Sequence, residues 1–221
     1  EEKEIALASR ALAAEIRQQF PGSEIYITGM IMGNHASMEV IEEESNSLIP
    51  LMFFIIIAFL FLLFRSIKAT AAILAIIIAS LVSTMGIAGW IGFEITSIVA
   101  SAPIIILTMA IADCVHILVT FNHNMRAGLS KVDSLVESLT LNLSPVFLTS
   151  LTTAIGFLTM NYSDSPPFQT LGNVVAIGVI MAFVLSLTLL PAMLVIIIKK
   201  PKATHVDQQP HWITPFKRYN Y

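Results

Sequence analysis

Apolar residues along this chain gather into five long blocks: Leu48–Phe64, Ala69–Phe93, Ile98–Phe121, Leu143–Met160 and Leu171–Ile198. A helix that crosses the hydrocarbon core of a bilayer needs roughly 20 such residues, within a range of about 17–25. Each block meets that length, the first only just. The last exceeds it, which predicts tilt or projection beyond the bilayer. The pattern therefore predicts an all-α polytopic membrane bundle of five transmembrane helices. Between the third and fourth blocks the period changes. Leu129, Val132, Leu135, Val136 and Leu139 form one helical stripe, and Lys131, Asp133, Ser134, Glu137 and Ser138 fall off it. Residues 126–141 thus predict an amphipathic helix on the membrane surface. An ordinary connecting helix with no role beyond packing has the same pattern.

The first thirty-five residues follow a different rule. Residues 1–19 are rich in Ala, Glu and Leu, all good helix formers, with Ile5, Leu12 and Ile16 near helical spacing. Phe20-Pro21-Gly22 predicts the stop. The alternating run Glu24-Ile25-Tyr26-Ile27-Thr28-Gly29 predicts one short strand. This piece is too small to bury a core alone, so residues 1–35 read as the end of a larger soluble α+β domain. Residues 36–47, with Glu39, Glu42, Glu43 and Glu44, read as a solvated helical turn leading into the membrane. The chain opens Glu1-Glu2-Lys3-Glu4 without methionine or signal-peptide pattern, which reads as a piece of a longer protein. Residues 201–221 are polar, with Pro210 and Pro215, and read as a tail.

Composition and charge sharpen this picture. The chain is 56% hydrophobic and 12% charged, against about 25% charged in soluble domains, which favours the membrane class. Arg65 and Lys68 separate the first two blocks, Arg126 and Lys131 the third and fourth, and Lys199, Lys200 and Lys202 follow the fifth. The other two connectors hold Glu94 and Asp164 and no Lys or Arg. Basic residues on alternate connectors predict that these loops, the amphipathic segment and the C-terminal tail are cytoplasmic. The N-terminal piece is then periplasmic or otherwise external. One cysteine, Cys114, excludes an intrachain disulfide and every two-cysteine motif.

The third block contains its own exception, Ala112-Asp113-Cys114-Val115-His116. Holding an ionised carboxylate in hydrocarbon costs several kcal/mol, so an intramembrane acid marks a functional site unless a neighbouring helix simply hydrogen-bonds it. His116 and Thr120 follow at helical spacing, and a carboxyl–histidine pair on one face can relay a proton. A histidine in a bundle is equally often a satisfied polar group. In the fourth block Thr149, Thr152, Thr153 and Gly156 are compatible with one face, which offers relay or packing partners. Pro103 and Pro191 mark kinks or helix ends.

Signatures of catalysis are missing from the sequence. There is no H-E-x-x-H, no G-x-S-x-G and no nucleotide-binding loop. His35, His116, His123, His205 and His211 show no metal-ligand clustering. The expectation is a non-enzyme with no metal, cofactor or nucleic-acid partner, whose energy comes from an ion gradient or another protein.

An ordered set of motifs carries a resemblance: the run ending Ile27-Thr28-Gly29; Phe64-Arg65-Ser66; Met85-Gly86-Ile87-Ala88-Gly89-Trp90-Ile91-Gly92; Ala112-Asp113-Cys114-Val115-His116; Thr149-Ser150-Leu151-Thr152-Thr153-Ala154-Ile155-Gly156-Phe157; and Leu189-Leu190-Pro191-Ala192. Over about residues 20–200 the chain resembles the resistance–nodulation–division (RND) superfamily of exporters. Within it the likeness is to the MMPL-type lipid and hydrophobe exporters, which share the sterol-sensing-domain helix set. The resemblance implies that the five blocks are like helices two to six of one half-transporter, after the end of a periplasmic porter domain. It implies a bacterial-type inner-membrane location, membrane lipids and amphiphilic substrates (lipids, drugs) as ligands, protons as the coupling ion, and a second transporter half. It matches Asp113 to a proton-relay aspartate and His116 to a position that is histidine in some exporters. Cys114 departs from the second aspartate or tyrosine of many members.

Three functions fit these expectations. The first is the membrane part of a proton-motive-force-driven exporter. The second is a sterol-sensing-like, lipid-binding regulatory module. The third is an auxiliary subunit of protein translocation.

Overall fold

A computed structural model describes residues 2–22 and 24–197 of the chain. Six α-helices follow one another: α1 (Glu2–Gln19), α2 (Met30–Phe64), α3 (Ile67–Ile91), α4 (Ala102–Arg126), α5 (Lys131–Leu158) and α6 (Pro166–Ile197). Short 3₁₀ turns lie at Val99–Ser101, before α4, and Thr159–Tyr162, after α5. The last four helices, with those turns, are long and apolar enough to cross a membrane. The tail and its histidines and lysines, from residue 198 onward, lie outside the described residues.

Local chemistry explains the ends. Ser66 caps α3 by accepting from the Ala69 N–H at 3.4 Å, and Gly92 closes it in the left-handed region at φ 86°. Ser130 caps α5, accepting from the Asp133 N–H at 3.2 Å while its hydroxyl donates to Asp133 Oδ2 at 2.5 Å. The α2–α3 link is so short that Arg65 is forced to φ 48°, the one non-glycine positive φ among the described residues.

Three expectations change. The run 24–28 forms no strand, and no strand occurs among the described residues. A strand needs a second backbone to pair with; here the Ile25 carbonyl accepts from the Arg17 side chain instead. The first apolar block is not a separate helix. It is the end of the 35-residue α2; among the described residues its apolar part is Pro50–Phe64, and four helices there are of membrane length, beside the five spans expected. The helix expected over residues 126–141 begins at Lys131 and runs without a break into the fourth block as α5.

Packing centres on α6, which contacts α3, α4 and α5. One apolar cluster, with Ile73, Ile76, Ile77, Leu118, Phe121 and Leu190, fills one half of the bundle, and a second, with Val99, Ile106, Val175 and Val179, fills the other. Close approach of α6 depends on glycine. A Cβ at Gly178 stands 2.4 Å from Ile106 Cδ1, and one at Gly172 stands 2.3 Å from the Phe157 carbonyl oxygen.

The connections define two ends. Arg65 and Lys68, the α4–α5 loop with Arg126 and Lys131, and the end of α6 share the basic end. There the Lys131 ammonium donates to the Val195 carbonyl. Glu94, Asp164 and α1 lie at the other, acidic end. Helix α1 packs on α2 through Ala6 and Ala13, while Ile5 and Leu12 are exposed. The Arg10 guanidinium forks onto both Glu39 carboxylate oxygens at 2.7 Å. Its hydrogen bonds hold the Glu39 carboxyl below the usual carboxylate range, and Glu39 in turn holds Arg10 above its ordinary value.

Candidate functional site

Asp113 lies near the middle of α4 and is 2% exposed. Helix α4 packs on α3, α5 and α6. It places apolar Ala110, Cys114 and Ile117 beside Asp113 on the buried side. From α5, Ser150 Oγ lies 3.5 Å from Asp113 Oδ2, at the long limit of a hydrogen bond. Among the described residues no Lys, Arg or His forms an ion pair with this carboxyl.

Below Asp113, toward the basic end, α4 and α5 are joined by further polar contacts. Asn142 Nδ2 donates to Thr120 Oγ1 at 2.9 Å and to the Ser138 carbonyl at 2.8 Å. The Ser138 hydroxyl donates across the helices to the Ile117 carbonyl at 2.6 Å. Such interhelical bonds contribute about 0.6 kcal/mol each in bilayers, at most about 1.7. They hold register more than they supply stability.

The remaining sequence-selected residues are arranged differently. His116 is exposed on α4 and does not pair with Asp113; its carbonyl accepts from Thr120 Oγ1 at 3.1 Å. An offset of three residues rotates a side chain by about 60°, enough here to carry it from the packed side to the outer side. Thr120 is half-buried and takes part in the Asn142 contact. Thr149 and Thr152 are exposed and donate to carbonyls of their own helix, Pro145 and Leu148. Thr153 is half-buried and Gly156 exposed. The inward face of α5 runs instead through Ser134, Ser138, Asn142, Val146, Ser150 and Ala154. Ser150 and Asn142 escaped sequence reasoning. Their signal was there: small or polar residues at every fourth position from Ser134 to Ala154, Val146 excepted.

Asp113 and Ser150 both fall within motifs behind the sequence resemblance, Ala112–His116 and Thr149–Phe157. The MMPL family pattern matches residues 1–217. The chain belongs to the MMPL family. It is 26% identical over 177 residues to protein MJ1562 of Methanocaldococcus jannaschii, covering 80% of this chain and 45% of that one. It is 28% identical over 188 residues to the siderophore exporter MmpL5 of Mycobacterium tuberculosis, covering 80% of this chain and 19% of that one. The chain spans less than half the length of these relatives. No solved structure matches it. As an MMPL-family chain with four membrane-length helices it is a multi-pass membrane protein.

A second feature of this MMPL chain lies at the acidic end. A cavity of about 790 Å³ opens between α1, the start of α2 and residues 94–98. Leu7, Met30, Met38, Ile95 and Ile98 supply apolar walls, and His35, Glu39 and Glu94 supply polar ones. Its size and lining fall in the range of small-molecule sites.

Proposed function

We propose that this chain is the membrane part of a proton-motive-force-driven exporter of hydrophobic or amphiphilic molecules, with Asp113 as its proton-carrying group. One observation carries the reading: a carboxyl 2% exposed in the middle of a membrane-length helix, with one hydroxyl partner and no cation among the described residues. Nothing in that setting neutralises the ionised form, so the group is suited to take up and release a proton. Ionised, Asp113 only accepts, and Ser150 donates to it; protonated, it gains a donor of its own. Each proton therefore changes the α4–α5 contact, and a packed interface converts that change into helix displacement. The basic end is assigned to the cytoplasm from Arg65, Lys68, Arg126 and Lys131, which puts α1 outside. The likeness to a siderophore exporter supports export.

The test is proton-gradient-dependent export of a fluorescent amphiphile by the intact protein, comparing Asp113 with Asp113→Asn at equal expression. Export falls to background in the variant and partly returns in Asp113→Glu. Undiminished export by Asp113→Asn refutes the role. The cavity at the acidic end favours one second reading, a lipid-binding regulatory module. It takes first place if the wild-type protein binds lipid but exports nothing.

A further inference from the structure

We propose that the α4–α5 seam between Asp113 and the basic end holds water and is the route by which protons reach or leave Asp113, with Val146 as its dry constriction. The inference rests on the proton-carrying role of Asp113.

At the basic end, α4 and α5 each carry a buried polar atom that the described residues do not satisfy. Asn124, on α4, is 7% exposed and Ser134, on α5, is 0% exposed. Among the described residues neither Asn124 Nδ2 nor Ser134 Oγ has a hydrogen-bond partner. Buried polar atoms in native proteins are almost always paired, and where protein supplies no partner an internal water does. One turn further along α5, Ser138 is also fully buried, and its hydroxyl reaches across to α4. One turn beyond that, Asn142 meets Thr120. Hydroxyls both donate and accept, so these rungs can continue a hydrogen-bonded chain that starts in water at the loop.

The chain then meets a break. Val146, 1% exposed, occupies the α5 turn between Asn142 and Ser150. Asn142 and Ser150 are eight residues apart, about 12 Å along a helix axis, too far for one direct hydrogen bond. A transient water beside Val146 has to bridge the gap, which makes the passage intermittent. On the other side of Asp113 the buried positions of the same two helices are Ala110, Leu107, Ile106 and Ala102 on α4 and Ala154 on α5. They carry no polar side chain, so this seam opens toward the basic end alone. A one-sided path is what a carrier needs if its proton is to be exchanged with one compartment at a time.

Helix adhesion alone also accounts for polar contacts between α4 and α5, and hydration separates the two explanations. In the intact protein with Cys114→Ala, single cysteines replace Ser134, Ser138 or Val146, and a small water-soluble thiol reagent is applied from the basic side. Ser134→Cys and Ser138→Cys should react at least tenfold faster than Val146→Cys. Equal, background-level rates at all three, with Ala127→Cys in the adjoining loop reacting normally, overturn the seam and leave the role of Asp113 untouched. Export then tests the route. Asn142→Leu should slow proton-driven export at least tenfold, whereas Asn142→Ser, too short to keep the Thr120 contact but still able to hold water, should retain most of it. Equal loss in both, or no loss in Asn142→Leu, overturns the route.

Discussion

Replacing Gly178 with alanine adds one methyl group at a tightly packed point of α6. The new Cβ would lie 2.4 Å from both Cδ1 and Cγ1 of Ile106 and 3.2 Å from Thr84 Cγ2. Carbon atoms rest at about 3.5–4.0 Å, so the overlap with Ile106 exceeds about 1 Å. Ile106 and Thr84 are both fully buried, so neither side chain can swing into lipid without opening space elsewhere. Overpacking of this kind costs about 1–3 kcal/mol, offset by the roughly 1 kcal/mol that alanine gains over glycine in a helix. The net expectation is a loss of up to about 2 kcal/mol. Cys114 supplies the assay, because it is the only cysteine and is fully buried. Its reaction with a thiol reagent during heating in detergent reports when the bundle opens. Gly178→Ala should expose it at lower temperature. Gly86→Ala on α3, where nothing lies within 4 Å of the new atom, should be neutral or stabilising. Ile106→Val in the Gly178→Ala background should recover part of the loss, since contacting residues do not add independently. If Gly178→Ala is as well tolerated as Gly86→Ala, the packing of α6 against α3 and α4 is wrong.

Ser130→Ala removes the cap of α5 and should cost about 1 kcal/mol, read by the same thiol assay, with Ser130→Thr, which keeps the hydroxyl, close to wild type. The Arg10–Glu39 pair makes docking of α1 on α2 acid-sensitive. Because the folded carboxyl sits below its ordinary value of 4.5, the contribution is complete above that value and is lost as pH falls through the lowered one. Hydrogen exchange in α1, corrected for intrinsic rates, should therefore accelerate at the acid end in wild type, and Glu39→Gln should flatten that dependence; an unchanged profile refutes the pair's role. Finally, Ala127→Cys and Asp164→Cys, each with Cys114→Ala, should label from opposite sides of sealed vesicles, the first from the cytoplasmic side. Labelling from one side would refute the alternation of loops.

Much of this architecture follows from order along the chain. In hydrocarbon a backbone must satisfy its hydrogen bonds within the segment, so a long apolar run such as 67–91 or 166–197 has few choices but helix. Phe20-Pro21-Gly22 ends α1, and Ser66 and Ser130 start their helices, through contacts a few residues away. Asp113 stood out for the same local reason, as one acid among apolar neighbours, and the ordered motifs already pointed to the MMPL family. The side that each helix turns inward was another matter. In a bilayer the packed and lipid-facing sides are both apolar, so the hydrophobic period that orients a water-soluble helix fades. Packing alone turned Ser150 and Asn142 toward α4, turned Thr149, Thr152 and His116 outward, and chose Ala6 and Ala13 over Ile5 and Leu12 on α1. It likewise left residues 24–28 without a strand, since alternation along one segment cannot supply the neighbouring backbone that a sheet requires.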